Sequence, residues 1–469
     1  MADETWHRAR LIPTSGINGQ EEAERRATSA LLAVIFAVRE FGVALLRPLG
    51  APGGTVETFI ETQFKLGDQT VIPDGLIRVT RGSKSWVALV EIKTGVATLS
   101  REQVECYLDV ARENGFDAVL TISNELAARP SVHPVAVDGR KTRKVALAHL
   151  SWAEVLTAAV QQRVHRGVAD PDQAWILAEL IRYLEHQKSG ALDFADMGSS
   201  WVEVREAVAA GTLRANDKGL PEVVARWNQL LRFVALRLGR ELGAEVQVVE
   251  PRKAAADPNA FLKETCQRVV ADGTLSGTVR IPNAIAPLNI TADLRASRIE
   301  VSAEIEAPRD GRSLTRINWL LRQLRDAPDA LRIDVWAANA RTSVSERLSV
   351  LRENPEAVVS DPKKPPKTFR IALVRPLGSK RDAARGSFIA STLDTVDEFY
   401  SEVLQALRPW SAKPPQLAKV PPTAVEKAGI DLSQPPRDFE VLEPDSESGD
   451  GTGIADEPPP SFEVPEPGV

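Results

Sequence analysis

The sequence predicts an α/β protein: a mixed central sheet flanked by helices in the first part, a second α/β or α+β domain, and an acidic, proline-rich tail. Three observations carry this. The first 190 residues show helix and strand periodicities in the order helix, three strands, helix, strand, helix. A chain of 469 residues exceeds what one core supports, so at least two domains are expected. The composition then shifts abruptly near residue 411, which sets expected boundaries of 1–190, 196–410 and 411–469.

The opening helix is expected to start at Asn18, with Glu21 three residues on as a capping-box partner. Its apolar stripe is Ala27, Leu31, Ile35 and Val38, and Pro48 and Gly50 close it. Three strands follow, at residues 56–65, 71–80 and 85–94, with turns at Gly67-Asp68 and Arg81-Gly82, an antiparallel meander. Ser100 caps the next helix. The run AVLTIS, residues 118–123, lacks period-two polarity and reads as a strand buried on both faces. A strand at 145–150 leads into a helix capped by Ser151 with Glu154 as partner, and a helix over 172–186 ends the domain.

Within the third strand, Glu91 and Lys93 are two residues apart and share a face with Val87 and Leu89, while Ala88, Val90 and Ile92 fill the other. Burying either charge alone costs roughly several kcal/mol, so both need partners. Asp74, in the preceding strand, is brought alongside Glu91 by the turn. Two adjacent carboxylates repel unless a cation or a proton intervenes, and hard oxygen ligands favour Mg²⁺ or Mn²⁺. The chemistry expected of Asp74, Glu91 and Lys93 is metal-assisted hydrolysis of a phosphodiester, with Lys93 orienting water or stabilising developing charge.

Pro73-Asp74, sixteen intervening residues, then Glu91-Ile92-Lys93 resembles the PD-(D/E)xK nuclease superfamily over about residues 16–165. The resemblance implies a restriction-endonuclease-like fold and an Mg²⁺-dependent deoxyribonuclease acting in phage defence, restriction or repair. Asp74, Glu91 and Ile92 would be the metal ligands. Gln103 and Tyr107 are similar to the Q-x-x-x-Y feature of the RecB-like branch, and Ala23-Glu24-Arg25 resembles the first helix of junction resolvases. The other Pro-Asp pairs, at 171, 328 and 444, lie in poor contexts. Asp361-Pro362-Lys363 also matches D-x-K, but it falls in the proline-broken run SDPKKPPK, which excludes a central strand.

The supporting residues each keep two readings. Glu24 lies on the core-facing stripe of its helix, either as a third ligand or metal-water contact or as a boundary side chain reaching solvent. Gln103 also fits as the partner of Ser100, and Tyr107 as core. The segment DGRKTRK is expected to be a hairpin tip whose Arg140, Lys141, Arg143 and Lys144 either contact phosphates or are simply solvated.

Beyond residue 195, helices are expected at 220–242 and 313–324, with strands near 246, at 278–281, 298–306, 331–337 and 369–374. In the run RINWLLRQLR, Ile317, Leu320, Leu321 and Leu324 point inward, while Trp319 and Arg322 turn away to meet a base or a protein partner, or Trp319 is covered by the neighbouring strands. The net charge of −6 conceals a division: residues 431–469 hold eleven acids and one base, leaving the remainder at about +4. Such a tail is expected to be disordered, and either docks a protein or competes with DNA for a basic surface.

The N-terminal decapeptide is charged and no run is long enough for a bilayer span, so a cytoplasmic protein is expected. Cys106 and Cys266 are widely separated, and five scattered histidines carry no metal signature. The function expected beside a nuclease is a non-catalytic binding or stress-related module built on the same fold.

Overall fold

The computed structural model describes residues 10–411, apart from 15, 16, 18, 128–131, 192–193 and 252–256. The expected cap Asn18 and the expected tail from residue 412 onward lie outside the described residues. Among these, the chain forms eleven α-helices and three sheets, and the first sheet is mixed.

The first helix is two. α1 (Gln20–Ala37) ends where Val38 turns extended, and α2 (Arg39–Leu46) folds back at 108° with a 3₁₀ turn at Arg47–Leu49. Gly42 makes the bend possible: a Cβ there would lie 2.6 Å from the Ile35 carbonyl oxygen, so only glycine lets the two helix backbones approach this closely. No single helix among the described residues is long and apolar enough to cross a membrane. Leu31, Leu32 and Ile35 of α1 are buried in the core instead.

The expected meander is present but interrupted. β1 (Thr55–Ile60) stops at Glu61, whose φ of 53° is left-handed. β2 (Phe64–Leu66) and β3 (Gln69–Val71) then form their own small hairpin about Gly67. β4 (Gly75–Arg81) and β5 (Lys84–Ile92) complete the antiparallel part. α3 (Arg101–Glu113) crosses to β6 (Ala118–Ser123) and the chain returns to β7 (Ala146–Ser151), both parallel to β5. The order is β1-β4-β5-β6-β7.

Alternation along β5 builds two cores. Ala88, Val90 and Ile92 pack with α1, with α4 (Trp152–Val160) and with α5 (Pro171–Leu184), whereas Leu89 packs with Val104, Tyr107 and Leu108 of α3. Every residue of β6 is buried, as its uniform apolarity predicts. Ser151 and Glu154 form the expected capping box.

The second half contains α6 (Trp201–Ala209), α7 (Leu220–Leu242), α8 (Pro258–Asp272), α9 (Ser313–Gln323), α10 (Leu348–Glu353) and α11 (Phe388–Glu402). Its strands are β8 (Gln247–Val248), β9 (Thr274–Arg280), β10 (Leu288–Asp293), β11 (Arg298–Glu306), β12 (Arg332–Ala337), β13 (Val344–Arg347) and β14 (Pro366–Pro376). They make a sheet in the order β13-β12-β14-β11-β10-β9-β8, antiparallel throughout. Ile299, Val301, Ile305 and Phe369 face a core shared with Trp227 of α7 and Phe388 of α11, while the intervening residues are mainly polar. Of the two readings kept for Trp319, the covered one agrees with the structure: the ring is partly buried against this core.

The two sheets belong to one compact unit. Helix α4 packs against α7, Arg232 pairs with Glu154, and Gln161 Nε2 donates to the Gly239 and Ala244 carbonyls at 2.9 and 3.1 Å.

Candidate active site

The antiparallel register pairs Gly75 with Val90, so the residue before β4 stands across from the residue after Val90. These are Asp74 and Glu91. Asp74 therefore enters from just outside the strand, a correction to its expected place within it. Pro73, lacking an N–H, cannot extend the ladder. Asp74 Oδ2 accepts the Ile92 amide at 2.7 Å, which fixes one carboxylate oxygen at the strand end.

Glu91 is only 1% exposed. Lys93 lies just beyond β5, held by its own backbone: its N–H donates to the Ile122 carbonyl at 2.8 Å and its carbonyl accepts Trp152 Nε1 at 2.9 Å. From there Lys93 Nζ stands 2.7 Å from Glu91 Oε1 and 3.6 Å from Glu24 Oε2. Glu24 thus points inward and meets the site through the lysine, with Gln20 Nε2 donating to its other oxygen at 3.3 Å. On α3, the Ser100 hydroxyl accepts the Gln103 amide, while the Gln103 side chain donates to the Tyr107 hydroxyl at 3.1 Å. Gln103 therefore supports Tyr107 instead of closing a capping box. Tyr107 itself is buried against Glu91.

Burial and the neighbouring Asp74 charge push Glu91 up to about 7, against the pull of Lys93. Burial also raises Asp74, although the Ile92 amide and Lys93 oppose the rise. Burial disfavours the Lys93 ammonium, but Glu91, Glu24 and Asp74 outweigh it and hold its pKa above the ordinary lysine value. Tyr107 is raised by burial and by the Glu91 charge, so it remains a neutral hydroxyl. Three carboxylates surround one ammonium.

Among the described residues, Glu91 Oε1 is ion-paired with Lys93 at 2.7 Å, and the carboxylate lies against Tyr107 and Asp74 without a well-aligned hydrogen bond to either. A buried carboxylate held by a single ammonium and lying beside a second carboxylate fits a hard divalent cation. No group of three or more His, Cys, Asp or Glu among the described residues is arranged to hold a metal, so the fit rests on two carboxylates and the main chain at Ile92.

DGRKTRK is not a hairpin tip. β6 and β7 are parallel, and Lys141–Arg143 forms a 3₁₀ turn docked on α3, where Lys141 pairs with Asp109 and the Asp138 amide donates to Glu105. The segment feeds β7 at the end where Ala118 pairs with Ala146, whereas Glu91 and Lys93 stand at the opposite end of the parallel strands. Arg140, Lys141, Arg143 and Lys144 are therefore not gathered beside the carboxylates.

Histidines set aside in the sequence do lie close by. Across the sheet Glu91 pairs with Thr121 and Thr121 with His149, placing all three in one row. Thr121 Oγ1 is 2.8 Å from His133 Nε2 and 2.9 Å from His149 Nδ1, and His149 Nε2 lies 2.7 Å from the Glu125 carbonyl. Burial pushes His149 down to about 4, so both its carbonyl bond and its bond to Thr121 suit a neutral ring. The usable signal was the alignment of AVLTIS with ALAHLS, which needs the parallel pairing to be known. No family model matches the chain, and no curated protein matches it.

Proposed function

We propose that the chain is an Mg²⁺- or Mn²⁺-dependent DNA hydrolase acting in the cytoplasm, in phage defence, restriction or repair. The observation that carries this reading is the Glu91 carboxylate, 1% exposed and beside Asp74, with the Lys93 ammonium at 2.7 Å. Asp74, Glu91 and the Ile92 main-chain oxygen would hold the ion. Bound there, a divalent ion would polarise a phosphodiester and lower the pKa of a water.

The chain's own residues do the rest. Lys93, anchored at both its amide and its carbonyl, presents a fixed ammonium to developing negative charge. Glu24 and Glu91 keep it protonated. Tyr107, set by Gln103, walls Glu91 from water on the α3 side. The test is nicking of supercoiled plasmid with Mg²⁺ or with chelator. Lys93→Ala is expected to reduce Mg²⁺-dependent nicking by about 10³-fold, and nicking that survives this substitution would overturn the assignment.

A further inference from the structure

The second sheet carries an unassigned basic rim. Three loops meet at one end of β11, β12 and β14: residues 307–312, 338–343 and 359–365. They are stitched together by main-chain bonds, from Ala307 N to Lys367 O at 2.8 Å and from Ala338 N to Pro365 O at 3.1 Å. Arg316 binds them from below, donating to the carbonyls of Arg309, Gly311 and Pro366 at 2.6, 3.0 and 2.9 Å. Its guanidinium is consumed as a brace. What the rim shows to solvent is Arg309, Arg312, Arg341, Lys363, Lys364 and Lys367, all exposed. The acids among them are Glu306, 3.9 Å from Arg309, Asp361, 3.8 Å from Lys364, and Asp310. Cations therefore outnumber acids two to one.

Beside the rim, on the polar face of the sheet, lies an open groove of about 560 Å³ lined by Trp336, Arg370, Ser343, Ser345 and Glu304 among others. Its floor, with the adjoining Glu300, holds two cations and three acids, a net charge of about −1. Arg332 and Arg370 are engaged by Asp334 and Glu300, leaving Glu304 as the acid without an ion pair among the described residues. The floor accordingly offers a part-exposed indole and hydroxyls beside the unpaired Glu304, suited to a base and not to a phosphate, and the adjoining rim supplies the positive charge.

We infer that the second half binds single-stranded DNA here, with phosphates on the rim and a base stacked on Trp336 in the groove. Duplex DNA needs a charged track but no aromatic platform, whereas an unstacked strand uses both. The inference gives the second half the task of holding substrate, and to that extent rests on the hydrolase reading. Binding, however, requires neither metal nor cleavage.

The experiment measures binding of a labelled oligothymidylate to the full chain in chelator across a salt series, so loss of nicking and loss of binding are separate readouts. Wild type is expected to bind the single strand more tightly than a duplex of equal length. Replacing Lys363, Lys364 and Lys367 together with alanine should flatten the salt dependence by about two counterions. Trp336→Ala should weaken binding about ten-fold, while Trp336→Phe keeps a stacking ring and most of the affinity. Circular dichroism confirms that each variant is folded. An unchanged salt slope in the triple variant, equal binding by Trp336→Ala and wild type, or a preference for duplex would overturn the inference.

Discussion

Each sheet buries charge on one face, and the two do so in opposite ways. On the second sheet, Asp334 is 4% exposed yet fully answered: Ser345 Oγ donates at 2.6 Å, Arg370 at 2.8 Å and Arg332 at 3.1 Å. Burial alone would raise that carboxyl, but these donors outweigh it and hold it below the ordinary range. On the first sheet, Glu91 and Asp74 face each other across two strands with one lysine nearby, and both are raised. A matched cluster braces a sheet. The first-sheet cluster, with three carboxylates to one ammonium, keeps two carboxyls raised by burial, the property on which the proposed cation site rests.

Substitutions at the two clusters should therefore differ in kind. The largest effect is on chemistry: Asp74→Asn, which keeps an oxygen to accept the Ile92 amide, should cut Mg²⁺-dependent nicking by about 10³-fold with little change in urea midpoint. A comparable loss in a stability-matched second-sheet variant would break the contrast. Next is Asp334→Ala, which leaves Arg332 and Arg370 sharing the single acid Glu300 and should cost about 3 kcal/mol in urea unfolding.

Glu91→Gln should do the reverse. A carboxyl raised in the folded state contributes stability below its unfolded pKa, and that stability is lost as pH rises through about 7. In chelator near pH 8 the glutamine variant should thus be more stable than wild type by about 2 kcal/mol, with the difference closing near pH 5. Asp334, whose pKa is depressed, has the opposite dependence: its stabilisation is present above the ordinary carboxyl range and disappears as pH falls through it. The smallest effect is Gln103→Ala, which frees the Tyr107 hydroxyl at a cost of about 1 kcal/mol and a several-fold loss of nicking.

Local patterns made much of this legible. The helix Leu220–Leu242 and the strand Arg298–Glu306 fall where periodicity places them, and Asp74, Glu91 and Lys93 come together because strand alternation and one tight turn suffice to align them. Features that depend on nonlocal approach were not legible. The break at Val38 needs Gly42 to meet Ile35, and the hairpin of β2 and β3 depends on the left-handed backbone of Glu61. The basic segment's place follows from the parallel pairing of β6 and β7, as does the row from Glu91 to His149. Charge matching was equally hidden: Glu300, Asp334, Arg332 and Arg370 sit on three strands whose order departs from chain order.

Calorimetric titration of Mg²⁺ and Mn²⁺ into wild type and Glu91→Gln at slightly alkaline pH tests most directly whether Asp74 and Glu91 hold a cation. Binding of one ion to wild type, abolished by a substitution that leaves the fold intact, is the predicted result. Equal binding by both proteins, or none by wild type, would contradict it.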